Sequence, residues 1–321
     1  MSLFADALQS VAVPGLSSVV GRPTALTVSG LIGGEGKFGF DLDFDDLNKA
    51  IITDFRENSL ILRALSSDAS RFASAAFQTV RRIKSDIVEK DRTAWSIIQI
   101  YYAAFYAGHS IIRMLGESCS YLDGVQISRI ERLGQAIGKI PNFKLSANTY
   151  HCVLDQSSNV FRSISLREGP GGSHGIFWNT FSQKLNKVGE QILLGPLVDS
   201  DKQQIFAKIE EFRRNLSAQN APQFSHLSAV RNEVQYKHTR DVWIPSNMKK
   251  EKREYLSRIS EIWTSDPLSI DISVGLSGSI ERFISTCVFV IAVALDLLRS
   301  IAQRSPKPSN SFARLGPLAF I

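Results

Sequence analysis

The feature that most constrains the fold is the stretch 58–89, which contains neither glycine nor proline. Its apolar residues recur at near-helical spacing, and this predicts a long helix. Residues 94–115 repeat the pattern and end before Gly116, a residue type common at helix ends. Residues 279–304 predict a third long helix that is apolar through its centre. Three such helices in 321 residues indicate a mainly α protein built as a helical bundle.

The first fifty residues differ from the rest of the chain. They contain short runs rich in Val, Leu, Thr and Phe, separated by prolines and glycines. Such runs between turn residues predict short strands, including a hairpin laid on the helical body. The predicted strand segments are 11–20, 25–32 and 37–44.

Further helices are predicted in the middle and second half of the chain. The helix predicted over 202–217 can be capped at its start by the residues that precede it, Asp199 to Asp201. The tail after Ser305 lacks periodicity. These helices cover 125–137, 176–193, 202–217 and 227–238, and another begins within 249–258. We therefore divide the chain into a β-containing N-terminal segment (1–50), a helical domain (51–305) and a flexible tail (306–321).

The cysteines and the apolar segments indicate a cytoplasmic protein without a membrane span. Cys119, Cys152 and Cys287 are odd in number and widely spaced, which suits a reducing compartment. The N-terminus shows no basic region followed by an apolar run. The most apolar stretch, 287–295, is shorter than the ~20 residues of a bilayer span, so it predicts a buried helix.

Positive charge is concentrated in the last third of the chain. The whole protein carries a formal charge of +6, and residues 201–321 hold 17 Lys and Arg against 12 Asp and Glu. Local positive charge attracts polyanions such as nucleic acids, although it can equally serve solubility. The residues predicted to contact an RNA backbone are Lys237, Arg240, Lys249, Lys250, Lys252 and Arg253.

No motif predicts a metal ion or a cofactor. The glycine-rich segment 30–39 lacks the first glycine and the Ser or Thr of a phosphate-binding P-loop. His151 and Cys152 are adjacent and have no partner ligands at metal-binding spacing. The segment 169–175 (GPGGSHG) resembles a backbone anion nest, but a single such loop is weak support for a ligand. His109 lies on the apolar stripe of the second helix, which favours a core histidine.

The segment AVRNEVQYKHTR carries the most distinctive chemistry. Arg231 and His238 are seven residues apart, so on one helix their directions differ by ~20° and their positions by ~10 Å. A guanidinium binds non-bridging phosphate oxygens, and an imidazole can transfer a proton at neutral pH. Asn232 adds a neutral donor and acceptor. By spacing alone, a surface helix of mixed charge is the favoured interpretation.

The segment RNEVQYKH resembles the motif of the HEPN superfamily (higher eukaryotes and prokaryotes nucleotide-binding). That motif is an Arg, a polar residue, and a His after four to six intervening residues; here six residues separate Arg231 from His238. The segment 101–116 resembles the aromatic and alanine-rich helix of these bundles. The likeness covers 55–117 and 221–304 and implies a HEPN-like antiparallel helical bundle with a large insertion at about 119–220.

The resemblance implies a metal-independent endoribonuclease of the bacterial defence or toxin–antitoxin type. Similar proteins usually act as homodimers with a composite site, and an antitoxin or a defence complex is a possible partner. His238 would transfer protons to and from the ribose 2′-OH and the leaving oxygen, Arg231 would stabilise the transition state, and Asn232 would position the phosphate. The alternatives are a non-catalytic helical module that binds RNA, nucleotide or protein, and an unrelated helical scaffold.

Overall fold

The computed structural model describes residues 2–35, 39–83, 86–167, 172–245 and 248–321. Within these ranges the chain forms eleven helices and one five-stranded sheet, so the protein is mainly α. The helices are α1 (Leu3–Ser10), α2 (Val28–Ile32), α3 (Asn58–Arg81), α4 (Thr93–Met114), α5 (Gly124–Ala136), α6 (Gly172–Leu194), α7 (Asp199–Leu216), α8 (His226–Gln235), α9 (Lys250–Glu261), α10 (Ile280–Gln303) and α11 (Phe312–Leu315). The strands are β1 (Phe40–Asp45), β2 (Ala50–Phe55), β3 (Glu117–Leu122), β4 (Asn148–Asp155) and β5 (Val160–Ser165).

Helix α4 is the centre of the helical layer, where it packs against α3, α10 and α8. Its apolar residues surround the helix axis, and this is typical of a fully buried helix. Small residues allow the neighbours to approach closely. A Cβ atom at Gly108 would lie 2.9 Å from a ring carbon of Phe177 on α6. The close contact between α4 and α6 therefore depends on glycine at this position.

Helix α10 is the predicted apolar closing helix, and its burial is confirmed. It is the one helix in the described ranges that is long and apolar enough to cross a membrane, but 89% of that window is buried inside the protein. It packs against α4, α9 and α1, with Phe289 in an edge-to-face contact with Phe4 on α1. Its apolar surface is thus covered by other parts of the same chain.

The sheet joins the N-terminal segment to the middle of the chain. Its strand order is β1-β2-β5-β4-β3, and every neighbouring pair is antiparallel. Strand β1 overlaps the predicted segment 37–44, of which residues 37 and 38 lie outside the described ranges. It forms a hairpin with β2, which begins at Ala50 and was not predicted. Strands β3 to β5 lie in 119–220 or at its border and were not predicted. The two segments share one sheet, in which β2 contacts α3 and β3 contacts α4.

Two of the predicted N-terminal strands are wrong. Residues 11–20 form turns and a short 3₁₀ helix, with a single bridge at Val20, and 25–32 contains α2. The side chain of Thr27 accepts a hydrogen bond from the Gly30 backbone N–H and so caps α2. A local cap therefore outweighs the β-type composition of this run.

The prediction of an unstructured tail is also wrong. Ser311 caps the short helix α11, and Phe312 is buried against α3 and α10. The Phe312 backbone N–H donates to the carbonyl oxygen of Val19, so the tail is tied to the N-terminal segment. A four-residue helix is too short to produce a periodic pattern in the sequence.

Candidate functional site

Arg231 lies on the buried face of α8. The residues Leu227, Val230 and Val234 form an apolar stripe at helical spacing, and Arg231 falls within that stripe. The side chain is only 6% exposed. The helix therefore points a permanently charged group towards α4 instead of towards solvent.

The guanidinium of Arg231 is surrounded by aromatic rings. Its central carbon lies 5.3 Å from the ring centre of Tyr101, 5.7 Å from that of Tyr102 and 6.0 Å from that of Tyr236. Nη1 donates to Oε1 of Gln235 at 3.2 Å, and the buried Nε has no hydrogen-bond partner. Among the described residues no carboxylate lies within ion-pair distance of Arg231. Buried charges are normally paired, so this guanidinium has unused capacity for an anion.

His174, in the first turn of α6, lies in the same group. Its Nδ1 is 2.9 Å from the hydroxyl oxygen of Tyr101, which also accepts from Nε1 of Trp178 at 3.2 Å. Because the indole can only donate, the tyrosine hydroxyl proton is free to point at Nδ1. Burial, followed by the charge of Arg231, lowers the pKa of His174 to about 4. His174 is therefore neutral at pH 7. Of the predicted anion nest, residues 169–171 lie outside the described ranges.

His238 is not on α8, so the prediction that it shares a helix face with Arg231 is wrong. The helix ends at Gln235 because the carbonyl oxygen of Asn232 accepts the N–H groups of both Tyr236 and Lys237. His238 follows with a left-handed backbone, φ 52°. Its exposed ring stacks on Trp243, with ring centres 5.1 Å apart. Asn232 is half-buried beside Arg231.

Arg231 and His238 contact different parts of the molecule. Arg231 faces Tyr101 and Tyr102, whereas Trp243 beneath His238 contacts Trp95 at the start of α4. Trp95 and Tyr102 are seven residues apart in the sequence, which is ~10 Å along the helix. No contact between Arg231 and His238 occurs among the described interactions. Within one chain the structure does not bring the two predicted catalytic groups together.

The predicted basic path is largely neutralised by local partners. Lys250 and Lys252 lie 3.7 and 2.9 Å from the carboxylates of Glu254 and Glu281, and Arg240 pairs with Glu233 at 2.6 Å. Arg253 donates to the carbonyl oxygens of Val88 and Met248, so it ties α9 to the segment before α4. Lys237 and Lys249 are exposed and have no carboxylate partner within the described part of the chain. Of the six predicted residues, these two and Arg253, whose partners are neutral carbonyl oxygens, keep their charge without a carboxylate partner in the described ranges.

An exposed aromatic surface, formed by Trp95, Tyr236, His238 and Trp243, was not predicted. Trp95 is 53% exposed and Tyr236 67%, and the rings of His238, Trp243 and Trp95 contact one another in that order. Lys237 adjoins it in the sequence. Both tryptophans are visible in the sequence, but nothing there indicates that residues so far apart meet.

The comparisons with known proteins identified no relative of this chain. No family model, no curated protein and no solved structure matches the chain. The resemblance to the HEPN superfamily stays a prediction. In the described ranges no group of three His, Cys, Asp or Glu side chains is arranged to hold a metal ion.

Proposed function

We propose that the protein is an endoribonuclease that binds and cleaves RNA without a metal ion, at a site centred on Arg231. The observation that carries this proposal is the burial of Arg231 without a carboxylate partner. A guanidinium offers planar donors that suit phosphate oxygens. In a water-poor site its charge acts more strongly on a transition state than it would in bulk water. A phosphodiester bound there would supply the missing counter-charge.

The reaction needs only groups of this chain and of the substrate. The ribose 2′-oxygen attacks phosphorus, the bond from phosphorus to the 5′-oxygen breaks, and one proton leaves the 2′-OH while another reaches the 5′-oxygen. Arg231 stabilises the charge on the phosphoryl oxygens. His174 is the proton-transfer group that we favour, because its contact with Tyr101 keeps it beside Arg231. A bound phosphate opposes the charge of Arg231 and raises the pKa of His174 towards neutrality.

RNA enters from the side of the exposed aromatic surface. Bases of a single strand can stack on Trp95, Trp243 and His238, while Lys237 and Lys249 attract the backbone. Only RNA carries the 2′-OH nucleophile, so DNA would bind without being cut. The composite alternative is a homodimer in which a second copy brings its His238 to Arg231.

From the resemblance, we propose that the protein acts in the bacterial cytoplasm as a toxin or effector that an antitoxin or a defence complex holds in check. The second candidate is a non-catalytic module that binds RNA. The cation–π contacts of Arg231 with Tyr101 and Tyr102 favour this second candidate. Such contacts fix α8 on α4, and this structural role of Arg231 does not require catalysis.

The deciding experiment is cleavage of single-stranded RNA by the purified full chain in EDTA. We expect products with a 2′,3′-cyclic phosphate and a 5′-OH. Arg231→Ala should lower the rate by about 10²–10³-fold, as the loss of a transition-state donor does. Arg214→Ala, at an exposed arginine of α7, is the matched control and should cut normally. Unchanged cleavage by Arg231→Ala, or loss of cleavage in EDTA, would refute the mechanism. Binding without cleavage would establish the second candidate.

A further inference from the structure

A second polar cluster lies at the far end of α4. A cleft of about 350 Å³ opens between α3, α4, strands β3 and β4, and the first turn of α6. Its floor carries Asp68, His109 and Arg113. Arg113 is twelve residues beyond Tyr101, or ~18 Å along the helix, so the charged floor is distant from Arg231. The aromatic wall of the cleft adjoins the Arg231 site, because Phe105 stacks on His174 with ring centres 4.2 Å apart. Its size is within the range of small-molecule sites.

The floor of the cleft retains a positive charge. The Nε of Arg113 lies 3.3 Å from Oδ2 of Asp68, and both side chains are almost fully buried. The other oxygen of Asp68 accepts from Arg71 at 2.5 Å, and Oδ2 also accepts the Val28 N–H. Two guanidinium groups therefore share one carboxylate. Its lone pairs are largely occupied, and it leaves one positive charge uncompensated, shared between the buried Arg113 and the partly exposed Arg71.

The hydrogen-bonding capacity that remains on the floor consists of donors. Arg113 Nη1 approaches Nδ1 of His109 at 3.2 Å, and since arginine only donates, the histidine proton lies on Nε2. Arg113 Nη2 has only a 3.5 Å contact with Ser120, at the limit of a hydrogen bond. Hydroxyl groups of Ser29 and Thr149 add to the lining. Such a set recognises a molecule rich in acceptors.

The walls of the cleft are aromatic. Phe72, Phe105 and Phe177 line it, and the ring of His109 is stacked between Phe72 and Phe177 at 4.8 and 3.9 Å. An apolar wall with a few converging polar groups is typical of ligand pockets. We propose that the cleft binds a small organic anion: a compact planar body carrying a carboxylate or phosphate group, held by Arg113 and His109. This site does not depend on the proposed RNA cleavage.

The test is titration calorimetry of the full chain with benzoate, phenyl phosphate, inorganic phosphate and phenol. We expect one molecule of benzoate or phenyl phosphate to bind, at least about tenfold more tightly than phenol, because charge-assisted hydrogen bonds to Arg113 are absent with phenol. Whichever of benzoate and phenyl phosphate binds more tightly shows whether the site prefers a carboxylate or a phosphate group. Inorganic phosphate should bind more weakly than phenyl phosphate, since it lacks the planar body. Anions that bind no better than phenol, or no binding at millimolar concentration, would refute the site.

Two variants locate the binding. Thr149→Trp fills the cleft from β4 without altering the charged floor, and it should abolish binding. Ser158→Trp, in the exposed turn after β4, is its matched control and should bind normally. Arg113→Gln removes the positive charge and should abolish most of the preference for anions. If this variant fails to fold, Thr149→Trp decides. Arg231→Ala should bind the probes as the unmodified chain does. Equal binding by Thr149→Trp and Ser158→Trp would place the probes elsewhere and overturn the proposal.

Discussion

Helix α8 and the loop that follows it carry one continuous sequence motif but place its residues in opposite environments. In α8 the helical period puts Arg231 among buried apolar residues, 6% exposed. In the loop of residues 236–245 the chain is no longer helical, so the helical period does not determine which side chains share a face. The exposed ring of His238 there stacks on Trp243. Spacing along a chain therefore predicts a shared face only as far as the helix extends. The end of α8 at Gln235 separates the two halves of the motif.

The two environments give the side chains different physical roles. A charge in a low-dielectric interior acts strongly on a nearby anion, but it reduces stability while it is unpaired. An exposed ring costs little and can stack on a base. The comparison predicts that α8 determines the rate of cleavage and that the loop determines RNA affinity.

The largest expected effect separates activity from stability at Arg231. Arg231→Met keeps a long side chain in the aromatic surroundings and removes the unpaired charge. We expect the cleavage rate to fall by about 10²–10³-fold. The free energy of unfolding should stay the same or rise, because an apolar side chain often replaces a buried charge without loss of stability. Urea denaturation and single-turnover cleavage measure the two quantities. A clear loss of stability would instead assign Arg231 a structural role in fixing α8.

The second prediction concerns which histidine transfers protons. His174→Gln should lower the cleavage rate by about 10²-fold, within the range for loss of a general acid or base. His238→Gln should change the rate less, because His238 does not reach Arg231 within one chain. A larger loss with His238→Gln would favour the homodimeric site. In that case mixing the inactive Arg231→Ala and His238→Ala variants should restore activity, since mixed dimers would contain one intact site.

The long helices of the fold could be predicted from the sequence because many residues repeat the same pattern. Helices α4 and α10 follow from periodic apolar residues over more than twenty positions. Strands β3 to β5 could not be predicted, since they are stabilised by pairing within one sheet that β5 joins to β2, which is far away in the chain. Helix α2 depends on one cap at Thr27. Features of this kind can be recognised only from the three-dimensional contacts of the folded chain.

The candidate site was predictable only in part. Arg231 is identified by its motif, but the same pattern gave His238 the wrong position. Tyr101 and His174 lie in segments whose composition is conspicuous, yet the sequence contains no signal that connects either of them to Arg231. Their contact arises because α4 packs against both α6 and α8. No sequence pattern within a single helix can show a contact that depends on how three helices pack together.

The third prediction tests the loop as an RNA-binding surface. Trp95→Ala and His238→Ala each remove a stacking platform, and each should weaken binding of single-stranded RNA by about 1–3 kcal/mol if it holds a base. The rate constant for bound RNA should change little. Tyr121→Ala, at an exposed aromatic residue of β3, is the matched control. Fluorescence anisotropy with labelled RNA measures the affinity. Unchanged affinity in both variants would remove the aromatic surface from the proposed RNA path.

The smallest expected effect is the pH dependence of stability that His174 produces. Burial and Arg231 lower its pKa to about 4 in the folded protein, against about 6.5 in an unfolded chain. Between these values the unfolded chain binds the extra proton, so stability decreases as the pH falls from about 6.5 to about 4. His226, whose pKa burial also lowers to about 4, contributes in the same direction. His174→Gln should therefore flatten, but not abolish, the decrease in unfolding free energy between pH 7 and pH 5, measured by urea denaturation. Ser173→Ala, in the same turn of α6, should keep the original slope. An unchanged slope in His174→Gln would mean that the pKa of His174 is not lowered in the folded protein, and it would contradict the burial of His174 beside Arg231.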